Sequence, residues 1–237
     1  WMWRNADFLD LVGWLRSWND RQKDQPKVGL YGLDLYSLHR SIESVIQYLG
    51  KVDPKLADEA RHRYGCFEEF GDDPQSYGLT ASVHSSLSCE DEVVTQLVEL
   101  QKHAADFLKR DGRMAEDEFF FAEQNARVAA NAEKYYRAMY RGRPNTWNLR
   151  DSHMADTLDA LVEHLENQQQ PARAIVWAHN SHLGDARSTE MGQRGEHNIG
   201  QLVRERHDRA ATLVGFTTFT GTVTAATDWD EPARRRH

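Results

Sequence analysis

Two histidines stand three positions apart, just after an apolar run in the last third of the sequence. The segment is "ARAIVWAHNSHLGDARSTEMGQRGEHNIGQL", 172–202, and it holds His179 and His182, followed by Asp185 and Glu190. An imidazole can donate or accept a proton near pH 7, and a carboxylate can hold an imidazole in one tautomer. The spacing therefore predicts a site for acid–base chemistry. Its catalytic candidates are His179, His182 and Glu190.

Other readings of the pair stay open. A histidine near the end of a strand is often only a structural residue. An H-x-x-H pair in a loop lacks the H-E-x-x-H helix geometry that brings two imidazoles to one zinc ion. Ser181 is not in a G-x-S-x-G elbow, and the sequence has neither a Walker A nor a G-x-G-x-x-G motif. We therefore expect no metal, no cofactor and no serine nucleophile.

The elements that position these residues read as alternating helices and strands. Short apolar runs predict strands at "KVGLYGLDLYS", "ARAIVWAH", "AATLVGFTTF" and "GTVTAA". This pattern predicts an α/β fold, with a parallel or mixed sheet flanked by helices and an inserted helical subdomain. The expected division is 1–36 and 146–237 for the α/β core and 37–145 for the helical subdomain.

Apolar residues at helical spacing predict the helices themselves. One runs from about Asn5 to Asp20, one begins near Pro54 after Asp53, and one follows Ser88. The segment Glu116–Met139 is expected to pair with the helix after Ser88 as an antiparallel hairpin. Gly50 is expected to end the helix before Pro54. A later helix, "NLRDSHMADTLDALVEHLENQQQ", is expected to begin at a cap formed by Asp151 or Ser152.

In open α/β sheets, ligands bind beyond the carboxyl ends of the strands. Asp34 ends one predicted strand and His179 follows another, so both are expected on one rim. Arg150 could bind an anion, or could with Asp151 be a helix cap and its charge partner, and His153 one turn into that helix could serve either purpose. The substrate-binding candidates are Tyr31, Asp34, Arg150, His153 and Asp185.

Composition limits the classes of partner. The chain has 237 residues and a formal net charge of −8, which argues against nucleic acid or an anionic membrane as the main partner. Cys66 and Cys89 have no metal-binding or redox spacing, so two free thiols in a reducing compartment are expected. The expected partner is a small molecule and the expected location is the cytoplasm.

Several segments together resemble the erythromycin esterase family. They are "WMWRNADFLDLVGWLRSWN", "GLYGLDLYS", "YYRAMY", "WNLRDSHMADTL", "VWAHNSHLGDARSTEMG....GEHNIGQLVRE" and "LVGFTTFTGTVTAA". They match in order and in rough spacing from Trp1 to about Trp229. The resemblance implies an α/β core with a helical subdomain and, in the macrolide-resistance enzymes, hydrolysis of a lactone by water that a histidine activates.

The resemblance also identifies particular residues. His179 and His182 match the family's paired "HN.H" histidines. The family's proposed general base lies in an N-terminal "GE..H" motif that no segment here matches, since "RGEHNIG" from Arg194 is a different motif. We expect an esterase-like hydrolase that cleaves an ester or lactone with histidine-activated water. The alternative is a non-catalytic or catalytically incomplete module that binds a small molecule, a metal or haem.

Overall fold

The computed structural model describes residues 5–23, 26–71, 73–109, 113–140, 145–168, 172–227 and 231–236. The chain forms two compact units, Trp1–Val176 and Trp177–His237. The helices of the first unit are α1 Ala6–Arg21, α2 Leu38–Val52, α3 Pro54–Tyr64, α4 Pro74–Val83, α5 Glu90–Lys102, α6 Ala104–Leu108, α7 Arg113–Met139 and α8 Asn145–Asn167. The elements of the second unit are α9 Asn180–Leu183, α10 Glu190–Gln193, α11 Ile199–His207, β1 Val223–Ala225 and β2 Arg234–Arg236. None of the described helices is long and apolar enough to cross a membrane.

Helix α7 organises the core of the first unit, because α2, α4, α5 and α8 all pack against it. Its inward surface is a stripe of buried alanines, Ala122, Ala126, Ala129 and Ala132. Such small side chains let neighbouring helices approach closely. Helix α4 comes nearest at Gly78, where a Cβ atom would overlap the carbonyl oxygen of Tyr136.

A buried carboxylate joins α4, α5 and α7. Glu133 is fully buried, and its Oε1 accepts hydrogen bonds from Tyr77 Oη at 2.6 Å, Ser88 Oγ at 3.0 Å and Arg137 Nε at 2.9 Å. Tyr77 Oη in turn accepts the backbone N–H of Cys89 at 2.9 Å. Because every partner is in place, the buried charge is compensated by hydrogen bonds and by the Arg137 guanidinium.

The two cysteines form a disulfide in the structure, so the expectation of free thiols is wrong. Cys66 lies in the 3₁₀ helix Gly65–Phe70, Cys89 is the N-cap of α5, and their Cα atoms are 5.9 Å apart. Separation along the sequence gave no sign of this contact, because packing of α3 against α5 creates it. Disulfides are typical of oxidising compartments, so the cysteines no longer support a cytoplasmic location.

The predicted α/β class is also wrong. Of the residues that the structure describes, 70% are helical, and the strands among them are β1 and β2, which pair antiparallel in a two-stranded sheet. The predicted strand "GTVTAA" does contain β1. In the other three predicted strands, the described residues of 27–37, 172–179 and 210–219 form no strand.

Hydrogen bonding explains the error, because an apolar run becomes a strand only where a neighbouring strand pairs with its backbone. In two of these runs a side chain takes that place. Asn19 donates to the carbonyl oxygen of Val28 and accepts its N–H, both at 2.8 Å. Asn180 bonds the N–H and the carbonyl of Phe216 in the same way. Each carboxamide therefore pairs one residue as a strand would.

The predicted helices are confirmed with changes at their ends. Asn5 caps α1, Asp53 caps α3, and α7 and α5 run antiparallel, with Gln101 bonded to Glu123 and Arg137 paired with Glu90. Two predicted ends are wrong. Helix α2 continues past Gly50 to Val52, and α8 begins at Asn145, so Asp151 and Ser152 lie inside the helix and are not its cap.

Reducing the disulfide is expected to lower the melting temperature. The bond closes a loop with a sequence separation of 23 residues, and a loop of this size restricts the unfolded chain enough to stabilise the fold by about 3 kcal/mol. Calorimetry of the oxidised and dithiothreitol-treated protein measures the difference. The double variant Cys66→Ser/Cys89→Ser is the control, whose melting should not respond to reductant. Two free thiols in the unreduced, denatured protein would contradict the bond.

Candidate functional site

In the first unit, Asp34 and Arg150 form a bidentate salt bridge. The Arg150 guanidinium donates from Nε to Asp34 Oδ1 at 2.9 Å and from Nη2 to Oδ2 at 2.6 Å. This fork matches the geometry of a carboxylate, and charged hydrogen bonds of this kind are the strong ones. Burial acts to lower the pKa of Arg150, but hydrogen bonding and the charge of Asp34 outweigh it and hold the pKa above its ordinary value.

Two tyrosines complete this cluster. The Arg150 guanidinium lies over the ring of Tyr36, 4.6 Å from the ring centroid, and the Tyr36 hydroxyl is 3.2 Å from that of Tyr135. Burial and the hydrogen bond with Tyr135 raise the pKa of Tyr36. Cation–π contact and ion pairing together fix the plane of the guanidinium. The cluster therefore presents a rigid cation that is paired on one edge.

His153 lies one turn after Arg150 on α8 and is almost fully buried, with 2% of its surface exposed. Its Nδ1 is 2.8 Å from Asn131 Nδ2, an amide donor, so Nδ1 accepts and the proton of the neutral ring lies on Nε2. Burial lowers the pKa of His153 to about 4. The residue is thus a neutral donor near pH 7 and does not act as a base there.

Tyr31 belongs to a different neighbourhood in the first unit. Its ring stacks on Phe121 with centroids 6.3 Å apart, and burial followed by the charge of Asp117 raises the pKa of its hydroxyl. The structure therefore brings Asp34 and Arg150 together, while the contacts of Tyr31 are with α7. The role of Tyr31 in substrate binding remains a prediction.

In the second unit, His179 is the N-cap of α9. Its Nδ1 accepts the backbone N–H of Ser181 at 3.2 Å and lies 2.9 Å from Ser181 Oγ. A backbone N–H can only donate, so a neutral His179 carries its proton on Nε2. The side chain is exposed, and its orientation is fixed by the helix start that it caps. His179 can therefore offer an N–H donor to a bound molecule.

The other predicted residues of this unit have distinct surroundings. His182 lies one turn further along α9, where its backbone N–H donates to the backbone carbonyl oxygen of His179. Only 8% of its surface is exposed. Asp185 caps the 3₁₀ helix Ala186–Ser188 and binds Arg187 at 2.9 and 2.6 Å. The Glu190 side chain is 87% exposed and lies 3.6 Å from Arg194. This ion pair places Glu190 at the surface, and its role in orienting a histidine remains a prediction.

Sequence reasoning missed the residues that hold α9 in place. Asn198 caps α11 by accepting the N–H of Gln201 at 2.9 Å, and its amide donates to the carbonyl of Ser181 at 2.8 Å. Gly200 lies so close to the carbonyls of Leu183 and Gly184 that a Cβ atom would overlap them. The "HNIG" segment thus fixes the turn that carries both histidines. An asparagine and a glycine at the start of a predicted helix were the available signal.

Comparison with known proteins identifies the family of the chain. The family model described as erythromycin esterase matches residues 1–237. The chain belongs to the erythromycin esterase family. Membership supports a hydrolase-like function, and it confirms the resemblance inferred from the sequence.

Two solved structures resemble the chain. One is a protein from Bacillus cereus, with 18% identity and a TM-score of 0.76, covering 97% of this chain and 53% of its own. The other, described as a succinoglycan biosynthesis protein, has 19% identity and a TM-score of 0.77, covering 99% of this chain and 54% of its own. At this identity the likeness concerns the fold alone. The chain spans about half the length of each of these two structures.

Replacing Arg150 with lysine is expected to destabilise the fold by about 1 kcal/mol, because lysine keeps the charge but loses the fork toward Asp34 and the stacking on Tyr36. Urea unfolding measures the loss. The matched control is Arg40→Lys, since Arg40 and Glu43 form an exposed pair with 85% and 66% of their side-chain surfaces accessible. Equal losses in the two variants would show that the fork contributes nothing.

Acid is expected to weaken the fold through His153. Its pKa is 6.5 in the unfolded chain and about 4 in the folded one, so between these values the unfolded state binds more protons. The free energy of unfolding therefore falls as the pH drops from 6.5 to 4, by up to about 3 kcal/mol. Urea unfolding at several pH values tests this dependence. His153→Gln should lose that part of it, whereas the exposed control His62→Gln should retain it; identical profiles would refute the assignment.

Proposed function

We propose that the protein is a carboxylic-ester hydrolase that cleaves an ester or lactone with water activated by histidine, without a serine-bound intermediate. One observation carries the proposal. The backbone N–H of Ser181 donates a hydrogen bond to Nδ1 of His179, so the proton of the neutral ring lies on Nε2. The exposed Nε2–H is therefore a donor with a fixed direction. Fixed donors aimed at developing negative charge are a principal source of catalysis in acyl transfer.

The reaction follows ordinary ester chemistry. The oxygen of water bonds to the carbonyl carbon while a base takes its proton, and the carbonyl oxygen becomes an oxyanion that His179 Nε2–H stabilises. Collapse of this intermediate breaks the bond to the alcohol oxygen, which takes up a proton. His182, held one turn beyond His179 on α9, is proposed as the imidazole that accepts or relays the proton.

The substrate-binding role of Asp34, Arg150 and His153 is a separate proposal. Arg150 is a fixed cation of the kind that binds carbonyl or carboxylate oxygens. A Michaelis constant that rises in Arg150→Lys, with little change in kcat, would support binding. Unchanged kinetic constants would leave Arg150 with a structural role only.

Hydrolysis is tested by incubating the purified protein with a panel of carboxylic esters and a macrolide lactone, and by measuring by mass spectrometry the addition of one water. His179→Ala is expected to lower kcat by about 10²- to 10³-fold, as the loss of one oxyanion donor does. His179→Gln should retain more activity, because its amide supplies an N–H near the position of Nε2. The exposed His207→Ala is the control and should keep full activity.

The outcomes separate the alternatives. Equal losses in His179→Gln and His179→Ala would mean that His179 acts as a base and not as a donor. No hydrolysis of any compound would contradict the hydrolase. It would favour a module that binds small molecules without converting them, and equilibrium dialysis with the same panel would then measure binding directly.

A further inference from the structure

The interface between α7 and α8 has a regular register, which contacts at both of its ends define. Asn131 on α7 contacts His153 on α8 at 2.8 Å. Three turns further along both helices, the ring of Phe120 stacks on His164 with centroids 4.0 Å apart. The helices are therefore antiparallel and stay in step between these contacts. One turn from the first contact, this register brings Arg127 opposite Thr157.

This stretch of the interface is polar, although it lies within the helical core. We call it the α7–α8 seam and define it by Gln124, Arg127, Asn131, His153 and Thr157. His153 and Thr157 expose 2% and 7% of their surfaces. Among the described residues, four buried atoms of the seam find no hydrogen-bond partner: Gln124 Oε1, Arg127 Nε, His153 Nε2 and Thr157 Oγ1.

Such atoms are costly to leave unpaired, and native proteins satisfy most of them. The four differ in what they require. His153 Nε2–H and Arg127 Nε–H are donors, Gln124 Oε1 is an acceptor, and the Thr157 hydroxyl can be either. A molecule that satisfies them must therefore both accept and donate hydrogen bonds.

The charge of the seam and its limited exposure to solvent restrict which molecule could bind there. The Arg127 guanidinium lies 3.6 Å from the Glu123 carboxylate, and burial keeps His153 neutral near pH 7. The seam thus offers no uncompensated positive charge that would favour an anion. Because His153 and Thr157 are nearly closed to solvent, the occupant must also be small.

We propose that the α7–α8 seam is a hydration site, which holds ordered water against His153 Nε2, Thr157 Oγ1, Arg127 Nε and Gln124 Oε1. Buried waters in proteins make about three hydrogen bonds, to polar groups that otherwise lack partners. Two donors, one acceptor and one hydroxyl can each be satisfied by water molecules, which both accept and donate hydrogen bonds. The water fixes the His153 ring one turn from Arg150, and this proposal does not depend on the hydrolase activity.

Thr157→Val provides the first test, because valine has the shape of threonine without the hydroxyl. In a hydrated seam, the variant loses a hydrogen bond to water, and the folded-to-unfolded ratio should fall by about threefold to tenfold. In a dry seam, removal of an unpaired hydroxyl leaves that ratio unchanged or raises it. Urea unfolding measures whether the folded-to-unfolded ratio falls or rises. Thr95→Val is the matched control, since Thr95 is exposed in the middle of α5.

A high-resolution crystal structure of the unaltered protein provides the second test. Electron density for water within hydrogen-bond distance of both His153 Nε2 and Thr157 Oγ1 is the expected result. Density showing that a side chain fills this position, or that it is empty, would overturn the proposal. Where the unfolding data and the crystal disagree, the density at His153 Nε2 decides.

Discussion

The buried carboxylate of Glu133 is the constraint on which the helical unit depends. A charge without exposure to water is stable only when its partners are fixed, so its position sets those of Tyr77, Ser88 and Arg137. Those partners belong to α4, to the turn before α5 and to α7 itself. The disulfide at Cys89 adjoins the same cluster through the Tyr77 hydroxyl. One ionised group thus determines how three helices meet.

The helices could be predicted from the sequence because their signals are local. Capping residues such as Asn5 and Asp53, and apolar spacing along α1, α2 and α5, depend on neighbours within a few positions. The disulfide and the seam could not be predicted in this way. They arise where α3 meets α5 and where α7 meets α8, and no local pattern records which helices become neighbours.

The candidate site likewise has some features that local sequence patterns indicate and others that depend on the fold. His179 and His182 were candidates because of their spacing, Asp34 because it ends a predicted strand, and Arg150 because it was expected at the start of a helix. The direct contact between Asp34 and Arg150 joins residues 116 positions apart, which sequence patterns cannot resolve. The tautomer of His179 depends on a backbone N–H and is likewise a property of the folded turn. The sequence thus indicated which residues could belong to the site. The tautomer of His179 and the pairing of Asp34 with Arg150 became known only from the structure.

The hydrogen bonds that Asn19 makes with the backbone of Val28, and Asn180 with that of Phe216, affect how the protein behaves at high concentration. Val214, Phe216 and Phe219 expose 60%, 80% and 100% of their surfaces, and exposed apolar segments with free backbone groups are templates for aggregation. A carboxamide that takes both backbone groups of Phe216 removes that residue from intermolecular pairing. Asn180 therefore interrupts an adhesive segment in its middle, in the manner of a gatekeeper residue, at a position adjoining His179.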